Sequence, residues 1–399
     1  MENCMKIMVC ADVATYKIAD RIDADYCKSL LVDMKPVLDS VDFRVANLEC
    51  VLCDAGVGNN IVKSGPNLRG EPKNAAFLTE AGIDCAILAN NHLGDLGEPA
   101  VHATLDLLDK LSIDHVGGGK NITEAYRAWY AEKDGVKVAF LAVCENEFGG
   151  ATDSKAGSAV FNMKRLCDRI AEEKATSDFV VVLFHGGNEY DPIPSPETVD
   201  RYRLIVDFGA DAVVAGHTHC MQGFETYRGK PIVYSMGNFF FPHLYKDEVP
   251  ERDPWNFGYM TELTVKRGEN IAFRVIPYEL KDENRLLHVL DGEERETILK
   301  YLDKLSAIIG DPAEVKRYFE AWCTKSGAGY SKALVHIPEY LEEGLTEEQA
   351  KKQAALRNLF WCESHDALMR GLMRLEYEGR MEEARASLPE LLELQKIPK

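Results

Sequence analysis

The chain has 399 residues, 46% hydrophobic and 28% charged, the composition of an ordinary globular protein with room for one large domain and a smaller one. Its net charge of −19 excludes a general nucleic-acid surface, which needs a basic patch, and makes any anionic substrate dependent on locally placed cations or metal. The 11 cysteines follow no spacing framework and no apolar run approaches the ~18 residues of a membrane span, so a cytoplasmic protein with reduced thiols and no integral membrane segment is expected.

In chain order, residues 6–11 read as a first strand with Asp12 at its end, and a polar stretch to Lys35 reads as helix. Residues 42–49 read as a second strand, on which Asn47 and Glu49 share one face opposite Leu48. Cys50 and Cys53 are formally CxxC, but without a second pair they read as core thiols. A polar loop carrying Lys63, Ser64, Gly65, Pro66 and Arg69 leads to a helix over 73–81 and a third strand over 84–89. That strand runs into Asn90, Asn91 and His92, with Asp95 shortly after. A helix over 99–111 and a strand at 113–116 follow, and then Gly117–Gly119, which lacks the GxGxxG pattern of a dinucleotide site.

Residues 137–143 read as a strand paired with 128–132 across Asp134 and Gly135, a hairpin signal. An amphipathic stretch over 163–174 precedes the most apolar strand, 179–184, which ends in His185, with Glu189 and Tyr190 just beyond. Residues 211–216 form a short apolar strand followed by His217, Thr218 and His219. In extended chain alternate residues share a side, so His217 and His219 are expected to face one site and Thr218 to point away. Strands over 231–235, 258–265 and 271–277 follow. From about residue 283 the pattern turns helical, with Ile298, Tyr301, Leu302, Leu305, Ile308 and Ile309 at helical spacing. The expected division is therefore 1–282 and 283–399. The second region shows no metal motif, and its His336 and His365 read as structural or exposed.

Alternation of strands and helices predicts a layered α/β sandwich. Asp12, Glu49, Asn91, His92, His185, His217 and His219 come from five segments, each at or just beyond a predicted strand end, where open α/β sheets place their ligands. Mixed oxygen and nitrogen donors suit Mn, Fe or Zn, and a carboxylate can bridge two ions.

These segments resemble the bacterial capsule-synthesis or poly-γ-glutamate-synthesis family of CapA type, whose fold is that of the calcineurin-like metallophosphatases. The resemblance covers about residues 5–280 and rests on Asp12, Asn47-Leu48-Glu49, Lys63-Ser64-Gly65-Pro66, Asn90-Asn91-His92 with Asp95, His185 with Glu189 and Tyr190, Gly216-His217-Thr218-His219, and Tyr234 to Phe239. It implies a four-layer αββα sandwich with a C-terminal helical appendage and one or two divalent ions. Asp12 and His219 would hold one ion, Asn91, His185 and His217 the other, and Glu49 would bridge. His92 would be the acid facing the leaving group, oriented by Asp95, with Lys63, Ser64, Glu189 and Asn238 toward substrate. Metallophosphatases carry a histidine two residues after the first aspartate; Ala14 stands there, so the first site is one nitrogen short. Glu49 replaces their bridging aspartate, and GHTH is nearer the phosphatase pattern than the longer GHHPH of the capsule family.

The expected function is a metal-dependent hydrolase, with a phosphoester the leading substrate class and an amide of an anionic polymer the next. Small molecules or anionic polymers would be substrates, and a capsule-synthesis protein a partner. Arg69, Arg228 and Lys230 read mainly as solvated charges, with a lesser claim as anion partners. The alternative is a non-catalytic binding or assembly component of capsular polymer synthesis, supported by the residue at position 14.

Overall fold

A computed structural model of the chain describes residues 4–16, 18–242, 252–281, 285–336 and 344–399. The expected boundary between residues 282 and 283 lies outside them.

Strand β1 (Met5–Val13) is followed by helix α1 (Ala24–Leu30), β2 (Phe43–Leu48), α2 (Ala76–Ala81), β3 (Cys85–Ile87), α3 (Glu98–Lys110) and β4 (Asp114–Val116). Then come β5 (Trp129–Lys133), β6 (Val136–Cys144), α4 (Met163–Lys174), β7 (Phe179–His185), α5 (Pro196–Asp207), β8 (Ala212–Gly216), β9 (Phe224–Tyr227), β10 (Lys230–Val233) and β11 (Asn238–Phe240). Long antiparallel strands β12 (Phe257–Val265) and β13 (Ala272–Lys281) precede β14 (Leu286–Val289). Helices α6 (Gly292–Ile309), α7 (Pro312–Tyr330), α8 (Glu347–Trp361), α9 (Glu363–Tyr377), α10 (Met381–Ala386) and α11 (Leu388–Leu394) complete the chain. None of the described helices is long and apolar enough to cross a membrane.

The strands form two large sheets. One has the order β14-β13-β12-β1-β2-β3-β4, with β11 paired to the end of β1; the other is β9-β10-β8-β7-β6-β5. Alternation along the second sheet shows why it lies between two layers. Val181 and Leu183 of β7 belong to the core shared with the first sheet, whereas Val180, Val182 and Phe184 pack with Leu166 and Ile170 of α4 and Tyr202 and Ile205 of α5. A strand covered on both faces must be apolar throughout, which is why residues 179–184 carry no polar side chain. On the first sheet Phe77 of α2 stacks on Phe240, 5.1 Å between ring centroids. The architecture is a four-layer αββα sandwich. The helical region is continuous with it, since Leu305, Phe319, Leu368 and Leu391 share the core of the first sheet.

Local chemistry sets the connections. At the β5–β6 hairpin Asp134 and Gly135 have φ of +52° and +75°, the two left-handed residues a tight two-residue turn requires. Helix α5 starts with Pro196 behind Ser195, whose hydroxyl accepts from the Thr198 amide. The helix expected to reach Lys35 ends at Leu30, and the strand expected over 84–89 stops at Ile87. All 11 cysteines are unpaired.

Candidate metal centre

Register levels the strand ends. Cys144, His185 and Gly216 are paired neighbours across β6, β7 and β8, so the residues after each leave the second sheet at one edge. On the first sheet a register shift before Asp12 sets it opposite Asn47, and on its other side Asp12 pairs with Asn238, with a second shift just after it. Such irregularities re-aim side chains, here Asp12 into the space between the sheets.

The two histidines after β8 do not follow the extended geometry expected of them. His217 and His219 have φ of +98° and +55°, a conformation costly for non-glycine residues and kept only where the surroundings impose it. The His217 amide donates to Asp12 Oδ2 at 3.1 Å, and Thr218 turns away to Ser235 and the Cys220 carbonyl. The imidazoles converge because a turn brings them together, not because they alternate along a strand.

Asn91 Oδ1, His217 Nδ1 and Glu49 Oε1 lie 3.2, 3.0 and 3.6 Å from His185 Nε2. Asp12, Glu49 and His219 form a second group of donors sharing Glu49. His219 Nδ1 contacts Asn238 Oδ1 at 2.9 Å, so Nδ1 carries the hydrogen and Nε2 points its lone pair inward, 3.8 Å from Glu49 Oε1. Donor atoms about 2.0–2.2 Å from one ion stand about 3–3.6 Å from each other, the range seen around His185. A proton shared between His185 and His217 would also account for their 3.0 Å contact. It would leave Glu49 unexplained: the side chain is wholly buried, and neither carboxylate oxygen has a hydrogen-bond partner among the described residues.

Burial, with the Asp12 and Glu189 carboxylates, pushes the Glu49 carboxyl far above its usual range. Burial and the neighbouring imidazoles hold His185 well below its ordinary value. Burial brings His219 down to about 4, Asp12 opposing and His217 assisting. Neutral imidazoles are metal donors, and a divalent cation would supply the countercharge that lets Glu49 ionise. The donor set fits the implied ions; Ala14, which stands where the family resemblance implies a further histidine, is buried.

Beside this centre lies a buried, hydrogen-bonded group of ionisable side chains. His92 Nδ1 is 2.6 Å from Asp95 Oδ2, Lys63 Nζ is 2.5 Å from Asp95 Oδ1, and the Leu68 amide donates to Asp95 Oδ2 at 2.6 Å. Burial would raise the Asp95 carboxyl, but His92 and Lys63 hold it below its usual value. His92 itself is lowered by burial and by Lys63 against the pull of Asp95, and its Nε2 stands 4.0 Å from Glu49 Oε1. The loop is locked in place: a β-carbon on Gly94 would lie 2.3 Å from the Gly149 α-carbon, backbone that cannot yield.

Above the centre is a cavity of about 610 Å³, lined on one wall by Lys63, Ser64, Asn91, His92, Glu147 and Glu189. The helical region supplies the opposite wall, with Lys325, Tyr330, Asn358 and His365. His365 is half-buried, held by the Tyr330 hydroxyl and Asn358; nothing in the sequence pattern pointed to it. The side chain of His336 lies outside the described residues. A larger surface cleft, about 940 Å³ between residues 55–62 and Lys351, contains none of these groups.

Some expected contacts fall elsewhere. Asn238, read as facing substrate, is buried and bonded to His219 and to the Trp255 carbonyl, away from the cavity lining. Arg228 and Lys230 pair with Asp207 and Asp211, and Arg69 reaches the Cys53 carbonyl, all outside this cavity. Other residues take part to which the sequence alone assigns no role. Asn47 donates to Asp12 Oδ1 at 2.7 Å, sits 3.1 Å from His185 Nδ1 and accepts from Asn90. Glu145 and Glu147 directly follow β6, the same strand-end signal that marked the others.

The profile of the bacterial capsule synthesis protein family, PGA_cap, matches residues 6–243, more than half of the chain. The chain belongs to this family. It is similar to the capsule biosynthesis protein CapA of Bacillus anthracis, 32% identical over 232 residues that make up 56% of each chain. It is also similar to the PGA biosynthesis protein CapA of Bacillus subtilis, 29% identical over 241 residues, 60% of this chain and 62% of that one. The match thus spans little more than half of each CapA relative. Among solved structures, the NAD nucleotidase of Haemophilus influenzae is 14% identical with a TM-score of 0.38, over 76% of this chain and 63% of that one. A 5′-nucleotidase precursor from Thermus thermophilus is 12% identical with a TM-score of 0.40, over 72% and 55%. These likenesses are remote, and no activity follows from them.

Proposed function

We propose that this capsule-family protein is a metal-dependent hydrolase, with a phosphoester the first substrate class and an amide of an anionic polymer the second. The observation that carries the reading is Glu49, a wholly buried carboxylate without a hydrogen-bond partner among the described residues, shared by two groups of metal-type donors. Asn91, His185 and His217 would hold one divalent ion, Asp12 and His219 the other, with Glu49 between them; Mn, Fe or Zn suits such donors. Bound ions would supply Lewis acidity and lower the pKa of water toward neutrality. Asp95 holds the Nδ1 hydrogen of His92, so that Nε2 is the atom that exchanges a proton with the leaving group. Lys63 fixes Asp95, and the cavity walls, with Ser64 and Glu189, orient the substrate and exclude water. The split near residue 282, a cytoplasmic setting and a capsule-synthesis partner belong to the same proposal, the family membership supporting the last.

Metal analysis of the purified protein and of Glu49→Gln, with phosphomonoester and phosphodiester assays, tests it. Bound metal in the parent, its loss in the variant and metal-dependent turnover are expected; a metal-free parent that binds no added ion overturns the reading. The second reading, a non-catalytic assembly component, is favoured by Ala14. Metal binding without turnover on esters or amides would select it.

A further inference from the structure

The geometry points to Glu147 as the positioning residue for two ligands of the metal centre, held in place by the C-terminal helical region. This rests on the metal-binding reading above. Glu147 Oε1 lies 3.5 Å from His217 Nε2, the ring nitrogen opposite the one that faces His185. Its other oxygen, Oε2, accepts from Asn91 Nδ2 at 3.3 Å, while Asn91 Oδ1 faces His185. One carboxylate thus contacts the outer side of both His217 and Asn91 and turns their donor atoms inward. Carboxylates behind ligating imidazoles fix the tautomer and ring orientation and raise ligand basicity.

Glu147 is itself aimed by its neighbours. Its amide donates to the Glu145 carbonyl at 3.0 Å, and the Glu145 amide donates to the His185 carbonyl at 2.9 Å. The Glu145 carboxylate is buried and held on all sides: Arg201 of α5 at 2.7 Å, the Ser364 hydroxyl at 2.8 Å, the Gly187 amide at 3.3 Å and the Cys362 thiol at 3.4 Å. Cys362 Sγ also lies 3.8 Å from Glu147 Oε1, and the Asn146 amide donates to Glu363 at 2.9 Å. The corner between α8 and α9 therefore grips the 145–147 loop. That corner lies beyond residue 243, where the family match ends. Glu147, Cys362 and His365 could also be read as a third ion site. Both His365 nitrogens are already engaged, with Tyr330 and Asn358, which favours the positioning role.

Titration with Co²⁺, followed by calorimetry and by visible absorption that reports ligand geometry, tests the assignment on the full chain. Glu147→Ala is expected to weaken the tighter site by about 10–100-fold and to alter the absorption, with the metal-free melting temperature little changed. The double variant Cys362→Ala, Ser364→Ala is expected to move affinity in the same direction, and Cys362→Ser to restore most of it. Parent affinity and spectrum in Glu147→Ala overturn the positioning role. A parent-like double variant overturns the part assigned to the helical region. Should Glu147→Ala fail to fold, the comparison of Cys362→Ala with Cys362→Ser decides. A third bound ion lost with His365→Ala would replace the positioning role with a ligand role. A parent that binds no Co²⁺ removes the metal reading itself, a result distinct from any of these.

Discussion

Lys63 and Asp95 form an ion pair 2.5 Å long in which both side chains are almost wholly buried, 2% and 0% exposed. Asp95 also takes the His92 hydrogen, so the lysine charge compensates a carboxylate that solvent cannot reach. Removing one partner of such a pair costs about 3–5 kcal/mol, because the remaining charge stays buried. Lys63→Met is therefore expected to lose stability of that order in denaturant unfolding. A variant of parental stability with only a raised KM would assign Lys63 to substrate instead.

His92 is predicted to move a proton and to bind no metal. In His92→Asn, metal content stays at the parental level, and turnover of an ester with a poor leaving group falls by about 10²–10⁴-fold. An activated aryl ester, whose leaving group needs no proton, should lose far less. Equal losses on the two esters, or loss of metal, would make His92 a ligand or a positioning residue.

Glu49→Gln and His185→Ala separate the two donor groups. The shared carboxylate serves both, so Glu49→Gln should release the ion of the Asp12 and His219 group first, that group being the one short of an imidazole. Metal-free stability should stay level or rise, since an amide replaces a buried carboxyl that burial pushes far above its usual range and that must take up a proton on folding at neutral pH. His185→Ala, like His217→Ala, should empty the other group. Elemental analysis after graded chelation reads both. Retention of both ions in all three variants would sink the assignment.

Glu363 carries a pH dependence. Burial and the neighbouring Glu145 carboxylate push its carboxyl from 4.5 to about 7, while the Asn146 amide works the other way. Between those values the folded chain binds more protons at this group than the unfolded chain, so its contribution lowers stability as pH rises from about 4.5 to 7. Glu363→Gln should remove that fall, giving a higher melting temperature than the parent at pH 8 and little difference at pH 4. An unchanged slope of stability against pH would refute the shift.

Much of the site was legible because strand ends carry ligands in layered α/β proteins, and Asp12, Glu49, Asn91, His185, His217 and His219 each sit at or just past the end of an apolar run. The alternation and apolar runs likewise indicated a layered α/β sandwich, since a strand such as 179–184 must be covered on both faces, whereas the two-sheet, four-layer form was implied by the family resemblance. Asn47, Glu145 and Glu147 carry the same signal, yet their roles depend on partners 138, 56 and 70 residues away along the chain, His185, Arg201 and His217. The spacing of His217 and His219 was visible, but the left-handed turn that aims them was not, because it is imposed by Asp12 and by packing and not by local preference. Tertiary structure alone decided where the C-terminal helices dock. Their sequence shows only amphipathic periodicity, which states that one face is buried and never against what. That Cys362, Ser364 and His365 meet the 145–147 loop and the cavity follows from how the helices dock on the sandwich, a matter of long-range packing that no local pattern encodes.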